Sequence, residues 1–263
     1  MKWIKRIAVT LGILYLLLCG VLFFVQEALI FHPQPRLAEF SYGNHPEEWV
    51  EMEDGVRLHA LHLKRKDARG VVLYLHGNVG DNGRSLYQTR SLADLGYNLF
   101  LVDYRGFGKS EGAISSEKDL TTDLQTVYDN LKRTYDEDRI VVAGYSLGSG
   151  SACFLAAHND PRAVVLVAPY TSLLDMKNLF FGMFPDLLLK YELNNVANIE
   201  HSKAPVHILH GTDDELIPLA MGRTLEAVDP TRIKLLELPG TGHRGAILNA
   251  RFREVMAGIS EGI

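Results

Sequence analysis

The segment Gly144-Tyr145-Ser146-Leu147-Gly148 places a serine between glycines two positions away on either side. The apolar run 140–143 precedes it, and the small residues Ser149-Gly150-Ser151-Ala152 follow. This is the pattern of a tight strand-to-helix turn: glycine removes β-carbons that would collide with neighbouring chain, and the serine hydroxyl projects from the apex. The start of the following helix favours negative charge developing beside it. A serine hydroxyl attacks a carbonyl weakly until a base takes its proton. His243, in Gly240-Thr241-Gly242-His243, is the candidate base, because it falls in a loop between the last predicted strand and the last predicted helix. His201, His207 and His210 fit a connector or the preceding strand and are weaker candidates. A carboxylate must then orient the histidine. Asp213 and Asp214 both stand in the loop His210-Gly211-Thr212-Asp213-Asp214-Glu215-Leu216-Ile217-Pro218, and spacing does not choose between them. Residues of these types support acyl transfer through a covalent serine intermediate.

Strands must position these loops. They are predicted at 48–52, 56–63, 71–75, 97–102, 139–143, 163–167, 206–209 and 233–237, the first two joined by the turn Asp54-Gly55. Their continuous apolar character, alternating with helical patterns at 84–95, 117–134, 147–158, 219–227 and 246–259, indicates a mostly parallel sheet covered on both faces. Eight strands in this alternation make one domain, residues 31–263, because dividing the sheet would expose both halves. His32-Pro33-Gln34-Pro35 reads as an extended connector. An insertion at about 170–204 crowds Leu173, Phe180, Phe181, Met183, Phe184, Leu187, Leu188 and Leu189. It reads either as a small lid lining an acyl pocket or as a helical hairpin buried on the body.

The 263 residues, 47% of them apolar, suffice for a sizeable core, which excludes disordered, collagen-like and disulfide-stapled classes. A formal net charge of −5 and the lack of a basic block give no reason to expect a nucleic-acid partner. Cys19 and Cys153 fall in settings too different for a disulfide between them to be expected, and the spacing of metal-ligating residue types implies no metal.

Residues 1–30 read as a membrane anchor. Positions 7–25 carry no charged side chain, and nineteen helical residues span about 28 Å against a hydrocarbon layer of about 30 Å. Lys2, Lys5 and Arg6 precede the run while Gln26 and Glu27 follow it, so the positive-inside rule predicts a cytoplasmic N-terminus and a non-cytoplasmic domain. No small-x-small site follows the run, which argues against a cleaved signal peptide, and a core helix of this length would show a polar face. Leu18 is too bulky to make Cys19 a lipoprotein cysteine.

Tyr74-Leu75-His76-Gly77-Asn78, Asp103-Tyr104-Arg105-Gly106-Phe107-Gly108-Lys109-Ser110, the serine turn, the acidic loop and the histidine loop together resemble the α/β-hydrolase superfamily. The likeness is to its serine-hydrolase branch with one N-terminal membrane segment and a small lid, the serine-aminopeptidase-like or alpha/beta hydrolase domain proteins, and it covers residues 49–259. The chain order serine, acid, histidine fits that fold. The resemblance implies Asp214 as the acid, since an HGxxDxxVP-like loop lands there with Ile217 in the usual valine place and Pro218 matching. It also implies the backbone N–H groups of Asn78 and Leu147 as oxyanion donors, and an eight-stranded α/β-hydrolase sheet. His76 becomes loop scaffold, and Arg105 either a loop-holding charge or an anion contact. The implied activity is hydrolysis of carboxylic esters through a covalent acyl-enzyme, without a cofactor, on a small acyl-ester or lipid-like substrate, with the lipid bilayer as partner of the N-terminal helix. The alternatives are a lipase or lysophospholipase, an acyl-protein thioesterase, less readily an aminopeptidase, and least a non-catalytic membrane-tethered binding protein.

Overall fold

Short runs of valine, leucine and isoleucine, buried on both faces, set the centre of the molecule: every residue of Gly70–Leu75 and Ile140–Tyr145 is out of solvent. In the computed structural model, which describes residues 2–261, the strands are His32–Pro33 (β1), Glu47–Glu51 (β2), Arg57–Leu63 (β3), Gly70–Leu75 (β4), Val79–Gly80 (β5), Tyr97–Val102 (β6), Ile140–Tyr145 (β7), Ala163–Val167 (β8), Val206–Gly211 (β9) and Ile233–Leu238 (β10). The helices are Lys2–Ile30 (α1), Asn82–Thr89 (α2), Glu117–Lys132 (α3), Gly148–His158 (α4), Leu173–Phe181 (α5), Asn195–His201 (α6), Leu219–Val228 (α7), His243–Ala246 (α8) and Ala250–Glu261 (α9).

Eight strands form one sheet in the order β10-β9-β8-β7-β4-β6-β3-β2. Neighbours from β10 to β6 run parallel, while β3 is antiparallel to both β6 and β2. Alternate residues of the parallel strands face two apolar layers. Val71, Leu73 and Leu75 join residues of α3, α4, α6 and α7 on one side, and Val72 and Tyr74 join Phe252 and Met256 of α9 on the other. This is the α/β-hydrolase architecture expected from the sequence, with α1 as an additional apolar helix.

Several boundaries differ from the sequence reading, each for a local reason. The helix predicted from residue 84 starts at Asn82, because Asp81 caps it by accepting from the Gly83 and Arg84 amides at 3.1 and 3.3 Å; beyond Thr89 it tightens into a 3₁₀ turn. The single helix predicted over 246–259 is two, α8 and α9, separated where the Asn249 side chain accepts from the Arg251 amide at 3.0 Å. The connector after α1 is extended as predicted and also pairs, β1 lying parallel to β5. The insertion is partly buried, since Tyr191, Leu193 and Ile199 join the core. It comprises α5, a 3₁₀ turn at Asp186–Leu188 and α6, and α5 buries none of its residues.

Glycine is required where α4 meets the sheet. A β-carbon at Gly148 would lie 2.1 Å from the Leu75 carbonyl oxygen, and one at Gly144 would lie 2.5 Å from the Gly148 oxygen. Both obstacles are backbone and cannot rotate away. Gly258, in α9, has open space around its Cα and is an ordinary helix-weakening glycine. Gly148→Ala should therefore destabilise the fold by about 1–3 kcal/mol, whereas Gly258→Ala should stabilise it by up to about 1 kcal/mol. Thermal unfolding checks the pair: a Gly148→Ala midpoint at or above that of Gly258→Ala would contradict this packing.

Candidate active site

The carboxyl ends of β4, β7, β9 and β10 carry the loops that converge on Ser146, as ligand sites in parallel α/β sheets do. Ser146 lies in the left-handed region, with φ of +52°, a conformation that costs a non-glycine residue about 1–3 kcal/mol. Its N–H donates to the Val167 carbonyl at 2.9 Å, and its own carbonyl accepts from the Ser149 N–H at 2.9 Å and the Ser149 hydroxyl at 2.7 Å. The turn is thus fixed from β8 and from α4 at once.

Ser146 Oγ stands 3.0 Å from His243 Nε2, and His243 Nδ1 stands 2.9 Å from Asp214 Oδ2. Ser146 and His243 are 7% and 6% exposed, so the chain of three groups is nearly closed to water. The other Asp214 oxygen accepts from the Leu216 and Ile217 amides at 2.9 and 2.8 Å. Burial opposes the charge of Asp214, but His210, His243 and the Ile217 amide outweigh it and hold this carboxyl far below the usual carboxylate range. Since its folded value lies below that of an unfolded aspartate, about 3.9, the carboxylate stabilises the fold at neutral pH. That contribution is lost as pH falls through the folded value. Among the described residues the Asp213 side chain makes only a local bond, accepting from Thr212 Oγ1 at 2.8 Å.

Among the described residues, no acceptor takes the amide N–H of Asn78 or Leu147, the two groups expected as oxyanion donors. The Asn78 side chain is occupied instead, donating through Nδ2 to the Ile30 carbonyl at 3.1 Å, and its carbonyl accepts from the His32 amide at 2.8 Å. The end of α1 is therefore tied to this loop. His76 is scaffold: Tyr104 donates to its carbonyl at 2.7 Å, the two rings stack at 4.2 Å, and burial lowers the pKa of its imidazole. Arg105 is spent on Asp123 and Asp54, with contacts of 2.6 and 2.7 Å, and holds the loop after β6.

Of the other histidines, His201 caps its own helix turn on Ala197 at 2.7 Å, and His207 is half-buried in β9. His210 reaches the site from behind. Its Nε2 lies 2.8 Å from the Ile217 carbonyl and 3.5 Å from Asp214 Oδ2. Its place four residues before the aspartate was the only sequence signal for that role. Two cavities open from Ser146, one of about 280 Å³ and one of about 120 Å³. Four residues of α1, Leu22, Gln26, Leu29 and Ile30, line the larger one, a long-range contact that local sequence pattern does not reveal.

Residues 66–195 match the family described as serine aminopeptidase, S33. The chain is 30% identical over 243 residues to an uncharacterized protein of Mycobacterium tuberculosis, covering 88% of this chain and 86% of that one. It is 30% identical over 184 residues to a lysophosphatidylserine lipase of Macaca fascicularis, covering 61% of this chain and 46% of the relative. Among solved structures, an esterase of Pyrococcus furiosus superposes with a TM-score of 0.69 at 19% identity, over 88% of this chain and 98% of the esterase.

The geometry makes the acid assignment testable. Ser146→Ala and His243→Ala should each lower kcat/KM for a soluble ester by at least about 10³-fold. Asp214→Asn should be severe and Asp213→Asn mild. Near-normal turnover in Asp214→Asn alongside collapse in Asp213→Asn would reverse the assignment.

Proposed function

This chain belongs to the α/β-hydrolase superfamily, and we propose that it is a serine hydrolase that cleaves carboxylic esters of apolar acyl chains drawn from a bilayer. The observation that carries this reading is the unbroken hydrogen-bonded run Ser146–His243–Asp214, with Ser146 lining the larger, apolar cavity. His243 Nε2 takes the hydroxyl proton as Ser146 Oγ bonds to the ester carbon, and Asp214 holds the imidazolium that forms. The Asn78 and Leu147 amides receive the tetrahedral oxyanion; loss of one such donor costs about 2.7–4 kcal/mol. The carbon–alcohol bond then breaks, with His243 returning the proton to the alcohol. Water, deprotonated by the same histidine, attacks the acyl-enzyme and frees the acid and Ser146. Among the described residues, no carboxylate lines either cavity, so nothing there pairs with a peptide amino terminus. This favours an ester over an aminopeptidase substrate.

The insertion acts as a lid shared with the anchor. Phe180, Phe181 and Phe184 line the larger cavity opposite Leu22 and Leu29 of α1. Tyr15 donates to the Met183 carbonyl at 2.8 Å and stacks on Phe184, while Gln26 bonds to both the Leu188 carbonyl and the Lys190 amide, at 3.0 and 2.8 Å. Lys190 closes on Glu27 at 2.9 Å. Eleven helical residues separate Tyr15 from Gln26, about 16 Å. If α1 spans the membrane over residues 7–25, the exposed Leu179, Phe180, Phe181, Met183 and Leu187 therefore lie within the outer half of the bilayer. Lys177, which would share that depth, is neutralised by Asp186 at 2.5 Å. An acyl chain can then pass from lipid into the cavity without crossing water.

Two experiments test this reading. A topology reporter fused after Ile263 should be active only outside the cytoplasm; cytoplasmic activity would reject the orientation. Each methylene buried is worth about 0.8 kcal/mol, roughly fourfold in kcat/KM, so butanoyl to octanoyl p-nitrophenyl esters should exceed the acetyl ester. Leu29→Trp or Phe184→Trp should fill the cavity and shorten the optimum, while Leu16→Trp, at an exposed position of α1, should not. An acetyl optimum, or a profile indifferent to both cavity variants, would end the acyl-pocket assignment.

A further inference from the structure

Ser146 stands between two cavities, the larger mainly apolar and the smaller richer in polar side chains. His243 lines the smaller and not the larger. This decides which half of an ester goes where, because the group protonated by His243 is the departing alcohol. The acyl chain then occupies the apolar cavity and the alcohol the 120 Å³ one. The smaller cavity also takes in Asn78, Tyr145 and two arginines, Arg84 and Arg244.

Neither guanidinium is committed. Among the described residues, each lacks an ion-pair or hydrogen-bond partner, unlike Arg105 or Arg36, which are paired to carboxylates. Arg84 is half-buried and its stem is laid across Gly80: a β-carbon there would lie 2.8 Å from Arg84 Cδ. Arg244 follows His243 directly and is exposed. Burial pushes the Tyr145 phenol up to about 12, Arg84 and Arg244 drawing it back and Asp214 and Glu215 adding to the rise, so both arginine charges are felt at the wall of this cavity alongside the two acids. The acids nearby are otherwise engaged: Asp214 holds His243, and Glu215 accepts from the His243 backbone N–H at 3.3 Å without lining the cavity.

We propose that Arg84 and Arg244 form a subsite for an anionic group on the alcohol half of the substrate, a phosphate by preference, so that the enzyme favours single-chain lipid esters whose alcohol bears a phosphate. Two guanidinium forks can share the several oxygens of a phosphate, and a small, partly water-excluded cavity strengthens the contact. The inference rests on Ser146 acting on acyl esters, as proposed above.

The test compares two esters with the same acyl chain, 1-acylglycerol and 1-acylglycerol 3-phosphate, on the full chain in neutral micelles. The phosphate ester should be preferred by about tenfold in kcat/KM. That preference should shrink as salt rises from about 0.05 to about 0.5 M. The ratio of the two efficiencies should fall towards one in Arg84→Gln/Arg244→Gln and be partly kept in Arg84→Lys/Arg244→Lys; a ratio cancels any general damage to the site. Glycerol 3-phosphate should inhibit p-nitrophenyl butanoate hydrolysis competitively where glycerol does not. Equal efficiencies for the two esters in the wild-type chain, or a ratio unmoved in the glutamine variant, would overturn the subsite while leaving the esterase reading intact. No hydrolysis of either ester, with no labelling of Ser146 by a fluorophosphonate, would overturn both.

Discussion

The backbone of Ser146 is the constraint on which the rest depends. A serine with φ of +52° keeps that conformation only if its surroundings over-determine it. Here three elements do so: β8 accepts its amide, α4 donates twice to its carbonyl, and the Leu75 backbone at the end of β4 closes against Gly148. A turn at a sheet edge or on a free loop has no such neighbours. The turn accordingly follows β7, which with β4 sits in the centre of the eight strands and is buried on both faces. A hydroxyl fixed in this way needs no further ordering before it meets a carbonyl, which is where positioning contributes to rate.

Two buried aspartates show how the same fold tunes like groups in opposite directions. Asp214 has two backbone amides on one oxygen and His243 on the other, and is held ionised. Asp103 is fully buried, but His76 and His59 stand 3.6 and 3.8 Å away, beyond good hydrogen-bond reach, and burial pushes its carboxyl up. Its neighbours are packed too tightly for more: a β-carbon on Gly108 would fall 1.9 Å from Asp103 Oδ2. The glycines of Gly106-Phe107-Gly108 are thus part of the cage around a buried acid beneath the His76 loop.

The inner strands were legible because a strand buried on both faces is a largely apolar run; all eight predicted strands appear in the sheet, with β2 and β10 partly exposed at its edges. Helix ends were less so. Asp81 and Asn249 act through side-chain bonds to nearby amides, and such bonds move a boundary without changing the hydrophobic period. At the site, Ser146, Asp214 and His243 lie within hydrogen-bond distance as their loops suggested, because each is announced by glycines or by a motif within a few residues. The cavity walls were not legible. Leu22 and Leu29 look like any membrane-helix residues, and Arg84 and Arg244 like any surface arginines; only the fold places them beside Ser146.

That last class of contact changes what the N-terminal helix is. The final carbonyls of a helix have no partner within it, and its C-terminus carries partial negative charge, which would oppose an oxyanion nearby. In this chain the Ile30 carbonyl accepts from the Asn78 side chain, while among the described residues no acceptor takes the Asn78 backbone N–H. One residue thus ends α1 and offers the proposed oxyanion donor. Gln26 and Glu27, one turn earlier, hold the insertion that roofs the larger cavity. A generic apolar helix of the same length would make none of these bonds, so α1, the roof of the cavity and the loop beside Ser146 form a single mechanical unit.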